Sequence, residues 1–118
     1  MENPDREKIE QIIKLRKQAH SFYLQKSKVY QAFVNMEAAA FKDSALSKLQ
    51  KELIAIGISI VINCESCMEW HVKQALDSGA TEAEIIEAIE VGIEMGGGPA
   101  TVSARFAMNV LACYQAAK

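Results

Sequence analysis

Between Leu53 and Ile62 the chain places isoleucine at every even-numbered position: Ile54, Ile56, Ile58, Ile60 and Ile62. No other segment constrains the fold as strongly. β-Branched residues at period two describe a buried strand, and a strand running into the Cys-x-x-Cys at Cys64 would open a thioredoxin-like sheet. A sheet needs partner strands, and no other segment has the pattern to supply one. Neither Pro4 nor Pro99 sits at a strand-entry turn. The same residues continue a stripe through Leu46, Leu49, Leu53 and Ile56, at helical steps of three and four. We therefore expect a helix, begun by Asp43 or Ser44 and running toward Asn63. A helix that is apolar nearly all round must be buried nearly all round. In 118 residues, that much Ile and Val predicts burial against another subunit.

The remaining signals are helical too. Asn3 is expected to cap a first helix, with Pro4 at its first position and Asp5 and Glu7 in its first turn, ending near Ser27. A further helix is expected from Val29 to Phe41. The helix holding the Cys-x-x-Cys should end at Gly79, which suits a left-handed cap. Thr81 and Glu84 match a capping box for the next, with Ile85, Ile86 and Ile89 on its core face. Gly96-Gly97-Gly98-Pro99 should break that helix and launch a last one over 100–116. The fold class expected is all-α: a single-domain bundle of about six helices.

At 118 residues with a net charge of −2, the chain is long enough to bury roughly two-thirds of its unfolded surface. It has no mark of a nucleic-acid binder. Lys14, Arg16, Lys17, Lys26 and Lys28 alternate with apolar residues and read as the solvated face of a helix. The start, 1–5, is polar and acidic and reads as neither a signal nor a transit peptide. The apolar run 53–62 is too short to span a bilayer. A cytoplasmic location is expected, where three cysteines are poor candidates for structural disulfides and a Cys-x-x-Cys is more often catalytic or metal-binding.

Chemistry concentrates in Cys64-Glu65-Ser66-Cys67-Met68-Glu69-Trp70-His71. On a helix, positions 64, 67 and 71 share one face. A dithiol beside a base can cycle between thiol and disulfide. A free thiol titrates near 8.5, so about 3% is thiolate at pH 7; lowering that by about two units takes roughly 2.7 kcal/mol. The helix start at Asn63 or Cys64 supplies about 1 kcal/mol or less, so His71 is needed to take the proton from Cys67 or stabilise its charge. Glu65 and Glu69 oppose ionisation unless they point to water. The spacing makes Cys67 the activated thiol and Cys64 the one that resolves what Cys67 has formed.

Other readings compete. Zinc would need a fourth ligand from Cys113, His20 or a carboxylate, and no second ligand pair completes a known spacing; no metal and no cofactor is expected. Cys113 falls with Phe106 and Val110 in a core pattern, His20 reads as an ordinary helix residue, and Trp70 as packing over the thiols or at a subunit contact. Gly96–Gly98 lacks the Gly-Lys-Ser/Thr of a phosphate loop.

Glu52, Cys64-x-x-Cys67 and His71, with eleven residues between the first two and three between the last two, resemble the signature of the alkylhydroperoxidase D-like proteins of the carboxymuconolactone decarboxylase superfamily. The run from Ser78 to Ala88 and the turn Gly96-Gly97-Gly98-Pro99-Ala100 are similar to the family's too. The likeness covers about 36–117, with 1–35 as a helical extension. It implies an all-helical fold assembling into trimers or hexamers. It also implies a relay in which Glu52 and His71 deprotonate Cys67. Cys67 then attacks a peroxide, becomes a sulfenic acid and condenses with Cys64. A dithiol protein, lipoyl-bearing or thioredoxin-type, would reset the pair. Spacing alone does not bring Glu52 to His71, because twelve helical residues rise about 18 Å before Cys64. The chain departs from members carrying a second histidine before the second cysteine: Ser66 stands there, and serine is no base near neutral pH.

The sequence thus predicts a thiol-dependent antioxidant oxidoreductase acting on hydroperoxides or disulfides, with no nucleic-acid or membrane partner. The alternatives are a lyase or isomerase using Glu52 and His71 as base and acid, and a metal-binding or scaffolding relative without turnover.

Overall fold

The isoleucine run is helical. A computed structural model describes residues 2–117, which form six α-helices and no strand: α1 (Arg6–Lys26), α2 (Lys28–Ala40), α3 (Lys48–Val61), α4 (Glu65–Asp77), α5 (Glu82–Gly96) and α6 (Gly98–Ala116). On a helix, steps of two residues are about 200° apart, so the isoleucines divide between two faces. Ile56 and Ile60 are fully buried, while Ile54 and Ile58 are 51% and 54% exposed. Within one chain the outer face of α3 is thus left open.

α3 is the centre of the packing, lying against α4 and α5, and α6 covers both of those helices. Its inner isoleucines meet Met68 and Val72 of α4, Ile85 and Ile89 of α5, and Val110 of α6, all of them fully buried. Gly57 and Gly92 let α3 and α5 approach closely, since a Cβ on Gly92 would lie 2.8 Å from the Gly57 carbonyl oxygen and 2.8 Å from Ile60 Cβ.

Caps explain most helix ends. The capping box at Thr81 and Glu84 forms as expected, and Gly79 ends the Cys-x-x-Cys segment at φ 96°. α3 begins at a second capping box, Ser47 with Gln50, and not at Asp43 or Ser44. Asp43 instead accepts the Lys48 N–H at 2.6 Å. Leu46 falls in the preceding turn, half exposed, and leaves the apolar stripe. Asn3 does not cap α1. Its amide oxygen accepts the Asp5 N–H at 3.0 Å, while its NH2 reaches the Asn109 carbonyl of α6 at 2.6 Å. The N-cap residue is Asp5, and α1 starts at Arg6. α6 begins at Gly98, with Pro99 in its first turn.

α2 packs chiefly on α1 and buries no residue fully. Among the described residues no helix is long and apolar enough to cross a membrane.

Candidate redox site

α3 ends at Val61, and Asn63 turns the chain with a φ of 53°. This sets the Cys64 N–H on the Ser59 carbonyl at 3.0 Å and leaves Cys64 as the N-cap of α4. The Cys64 sulfur takes the place of a capping oxygen, accepting the Cys67 N–H at 3.2 Å. Cys64 and Cys67 are joined as a disulfide across a Cα separation of 5.2 Å. Both are partly exposed. The helix start, with its unpaired N–H groups, favours an anionic sulfur on reduction.

The α3–α4 crossing supplies what spacing could not. Glu52 is almost wholly buried, and its Oε1 lies 2.7 Å from His71 Nδ1. That bond orients the ring and leaves Nε2 as the nitrogen open to a thiol or substrate. Phe41 stacks on the imidazole, centroids 5.4 Å apart and planes 21° from parallel. Lys48, one turn before Glu52, binds Oε2 at 2.9 Å and the Gln74 side chain at 3.1 Å. Glu52 is thus held from both sides. Among the described residues no hydrogen bond joins His71 to either cysteine. The four expected site residues therefore form two pairs, Cys64 with Cys67 at the start of α4, and Glu52 of α3 with His71 of α4.

Beside the imidazole opens a pocket of about 470 Å³, lined by Val34, Phe41, Lys48, Glu52, Trp70 and Gln74 among others. A larger groove of about 700 Å³ runs between α3 and α5 over Ile54, Ile58, Val91 and Met95, with Glu84 and Glu87 as its charged residues. It holds no nucleophile or imidazole, whereas the smaller pocket is lined by Glu52 and Phe41, the two residues that contact the His71 ring.

Glu69 does not point to water. It is 1% exposed, paired with the Arg16 guanidinium and accepting the Tyr114 hydroxyl. Arg16 also lies 4.9 Å over the Trp70 ring. Desolvation, then the bond to Glu69, push the Tyr114 hydroxyl well above its ordinary value, so it remains a neutral donor. The expectation of a wholly solvated basic face on α1 fails at Arg16, because only a buried carboxylate from another helix could draw it in.

Lys48, Phe41, Arg16 and Tyr114 were missed in the sequence. Lys48 could have been found, four residues before Glu52 on one helix. The other three carried no local signal. Cys113 packs partly buried against the core, as expected. His20 bonds the Tyr30 hydroxyl at 2.6 Å and ties α1 to α2. Among the described residues no group of three or more His, Cys, Asp or Glu is placed to hold a metal ion.

The sequence model of the carboxymuconolactone decarboxylase family matches residues 27–109. A protein of the cox locus of Paracoccus denitrificans is 44% identical over 80 residues, 68% of this chain and 72% of its own length. One from Cupriavidus necator is 38% identical over 85 residues, 72% of this chain and 73% of its own. A family protein of Legionella pneumophila superposes with a TM-score of 0.81 at 30% identity, covering 88% of this chain and 94% of that one. Another, from Thermotoga maritima, superposes at 0.82 with 23% identity, covering 90% and 91%, a likeness that shows the fold alone.

Proposed function

This chain belongs to the carboxymuconolactone decarboxylase family, and from that membership and the dithiol heading α4 we propose a thiol-dependent oxidoreductase that reduces hydroperoxides or disulfides. The observation that carries the reading is the bonded pair Cys64–Cys67 at a helix start, one turn before an imidazole fixed by a buried carboxylate.

In the reduced protein the Cys67 proton passes to His71, directly or through a water, with Glu52 steadying the imidazolium. The thiolate attacks the terminal oxygen of a hydroperoxide, the O–O bond breaks, and the alcohol leaves with a proton. Cys67 is then a sulfenic acid. The Cys64 thiol attacks its sulfur, releasing water and forming the disulfide. A dithiol of lipoyl or thioredoxin type returns two electrons and two protons. The pocket walled by Phe41, Val34 and Trp70 offers an apolar surface to the organic part of a substrate. Lyase chemistry by Glu52 and His71 is the second reading, favoured by a Glu52–His71 bond that needs neither sulfur.

The test supplies purified protein with tert-butyl hydroperoxide and dihydrolipoamide. One peroxide should be consumed per dithiol oxidised, faster than by the free dithiol. A rate equal to the protein-free control rejects the reading.

The proposal extends to self-association as a trimer or hexamer, because the α3–α5 groove leaves Val91 and Met95 62% and 72% exposed. Ile58→Glu should lower the mass measured by light scattering to that of one chain. A wild-type protein that is already monomeric at high concentration refutes this part.

A further inference from the structure

α1 lies outside the segment that the family model matches, yet it reaches the two carboxylates that flank Cys67. Glu65 and Glu69 stand two residues before and two after that cysteine, and each opposes its ionisation. Each meets a cation from α1. Lys8 Nζ lies 3.3 Å from both Glu65 oxygens, and Arg16 pairs with Glu69. Arg16 also donates to the carbonyl of Ser66, next to Cys67, at 3.4 Å. We propose that α1 is a charge-neutralising strap on the redox helix, with Arg16 as the residue that sets how readily Cys67 ionises.

This rests on Cys67 being the attacking thiol. Arg16 acts through Glu69 and the Ser66 carbonyl, so it is a positioning residue. The two pairs carry unequal weight. Lys8 and Glu65 are both well exposed, and solvent screens them. Glu69 is buried, so its charge would be felt strongly if Arg16 did not offset it. The other ionisable groups facing the first turns of α4 are His71 on α4 itself, Lys48 and Glu52 on α3, which pair with each other, and Tyr114 on α6. Tyr114 contributes a hydrogen bond to Glu69 and no charge. The Arg16–Glu69 pair is thus the charge balance that α1 alone controls.

The experiment titrates the thiolate absorbance of Cys67 in full-length protein carrying Cys64→Ser and Cys113→Ala, with no peroxide present. Glu69→Gln leaves the Arg16 charge unopposed and should lower the Cys67 midpoint by about one pH unit, the scale of one nearby charge at intermediate dielectric. Arg16→Met should raise it by a similar amount, and combining the two should restore the parent value. Lys8→Met should move it by about 0.3 unit or less. Circular dichroism checks folding in each. A strap of purely structural role lowers the melting temperature of Arg16→Met and leaves every midpoint in place, which overturns the proposal. Should Arg16→Met alone not fold, Glu69→Gln and the double variant decide, since neither leaves a buried carboxylate unpaired. Midpoints that shift as stated in a protein that reduces no peroxide uphold the strap and sink only the catalytic reading.

Discussion

Replacing Cys67 by serine is expected to remove dithiol-dependent peroxide reduction, a loss on the order of 10³-fold or more, as for other enzymes that lose their nucleophile. A serine hydroxyl has almost no anion at neutral pH, and its oxygen cannot be oxidised by a peroxide as sulfur can. Replacing Cys64 has a different signature. The first oxidation then proceeds, but no neighbouring thiol condenses with the product. One sulfenic acid per chain should accumulate at Cys67 and be trapped by dimedone, visible as a single mass adduct after digestion. If turnover survives in both variants, Cys64 and Cys67 are not the redox centre. A double cysteine variant that still acts on a carboxylated small molecule would favour the lyase reading, because the bond between Glu52 and His71 involves neither sulfur.

Replacing His71 by asparagine should slow oxidation of Cys67 by about 10²- to 10⁴-fold at pH 7, the usual contribution of a positioned base. The deficit should shrink as pH rises through about 8.5, the ordinary thiol range, since solvent hydroxide then supplies the thiolate that the imidazole supplied below it. Glu52→Gln keeps a hydrogen-bond acceptor for the ring but removes the charge beside it, so a smaller loss is expected. Lys48 is partly exposed and can turn to water in that variant, which makes a folding defect a poor explanation for the change. Stopped-flow measurement of peroxide-driven thiol oxidation against pH checks both. A His71→Asn protein that matches wild type at pH 7 would show that the imidazole has no part in the step.

Local signals wrote most of the helices. Thr81 with Glu84, Gly79, and the glycine-rich turn before α6 each act within one or two turns of chain, and the structure follows them. Where expectation failed, a distant group had won. Arg16 left the solvated face to meet Glu69. The start of α3 failed for a nearer reason: Ser47 and Gln50 form a reciprocal box, which outcompetes the single bonds that Asp43 or Ser44 could offer.

The sequence by itself determined an all-helical chain with two thiols and an imidazole on one side of a helix, because periodicity, capping and i, i+3 proximity are properties of neighbours along the backbone. Tertiary structure alone decided that Glu52 meets His71, that Lys48 and Gln74 brace it beside Phe41, and that Arg16 and Tyr114 close on Glu69. Those contacts join α1, α3, α4 and α6, and depend on how helices cross once their apolar faces are buried. The crossing is set by side-chain volume at Ile56, Ile60 and Met68 and by the close approach at Gly57 and Gly92, which no spacing along the chain records.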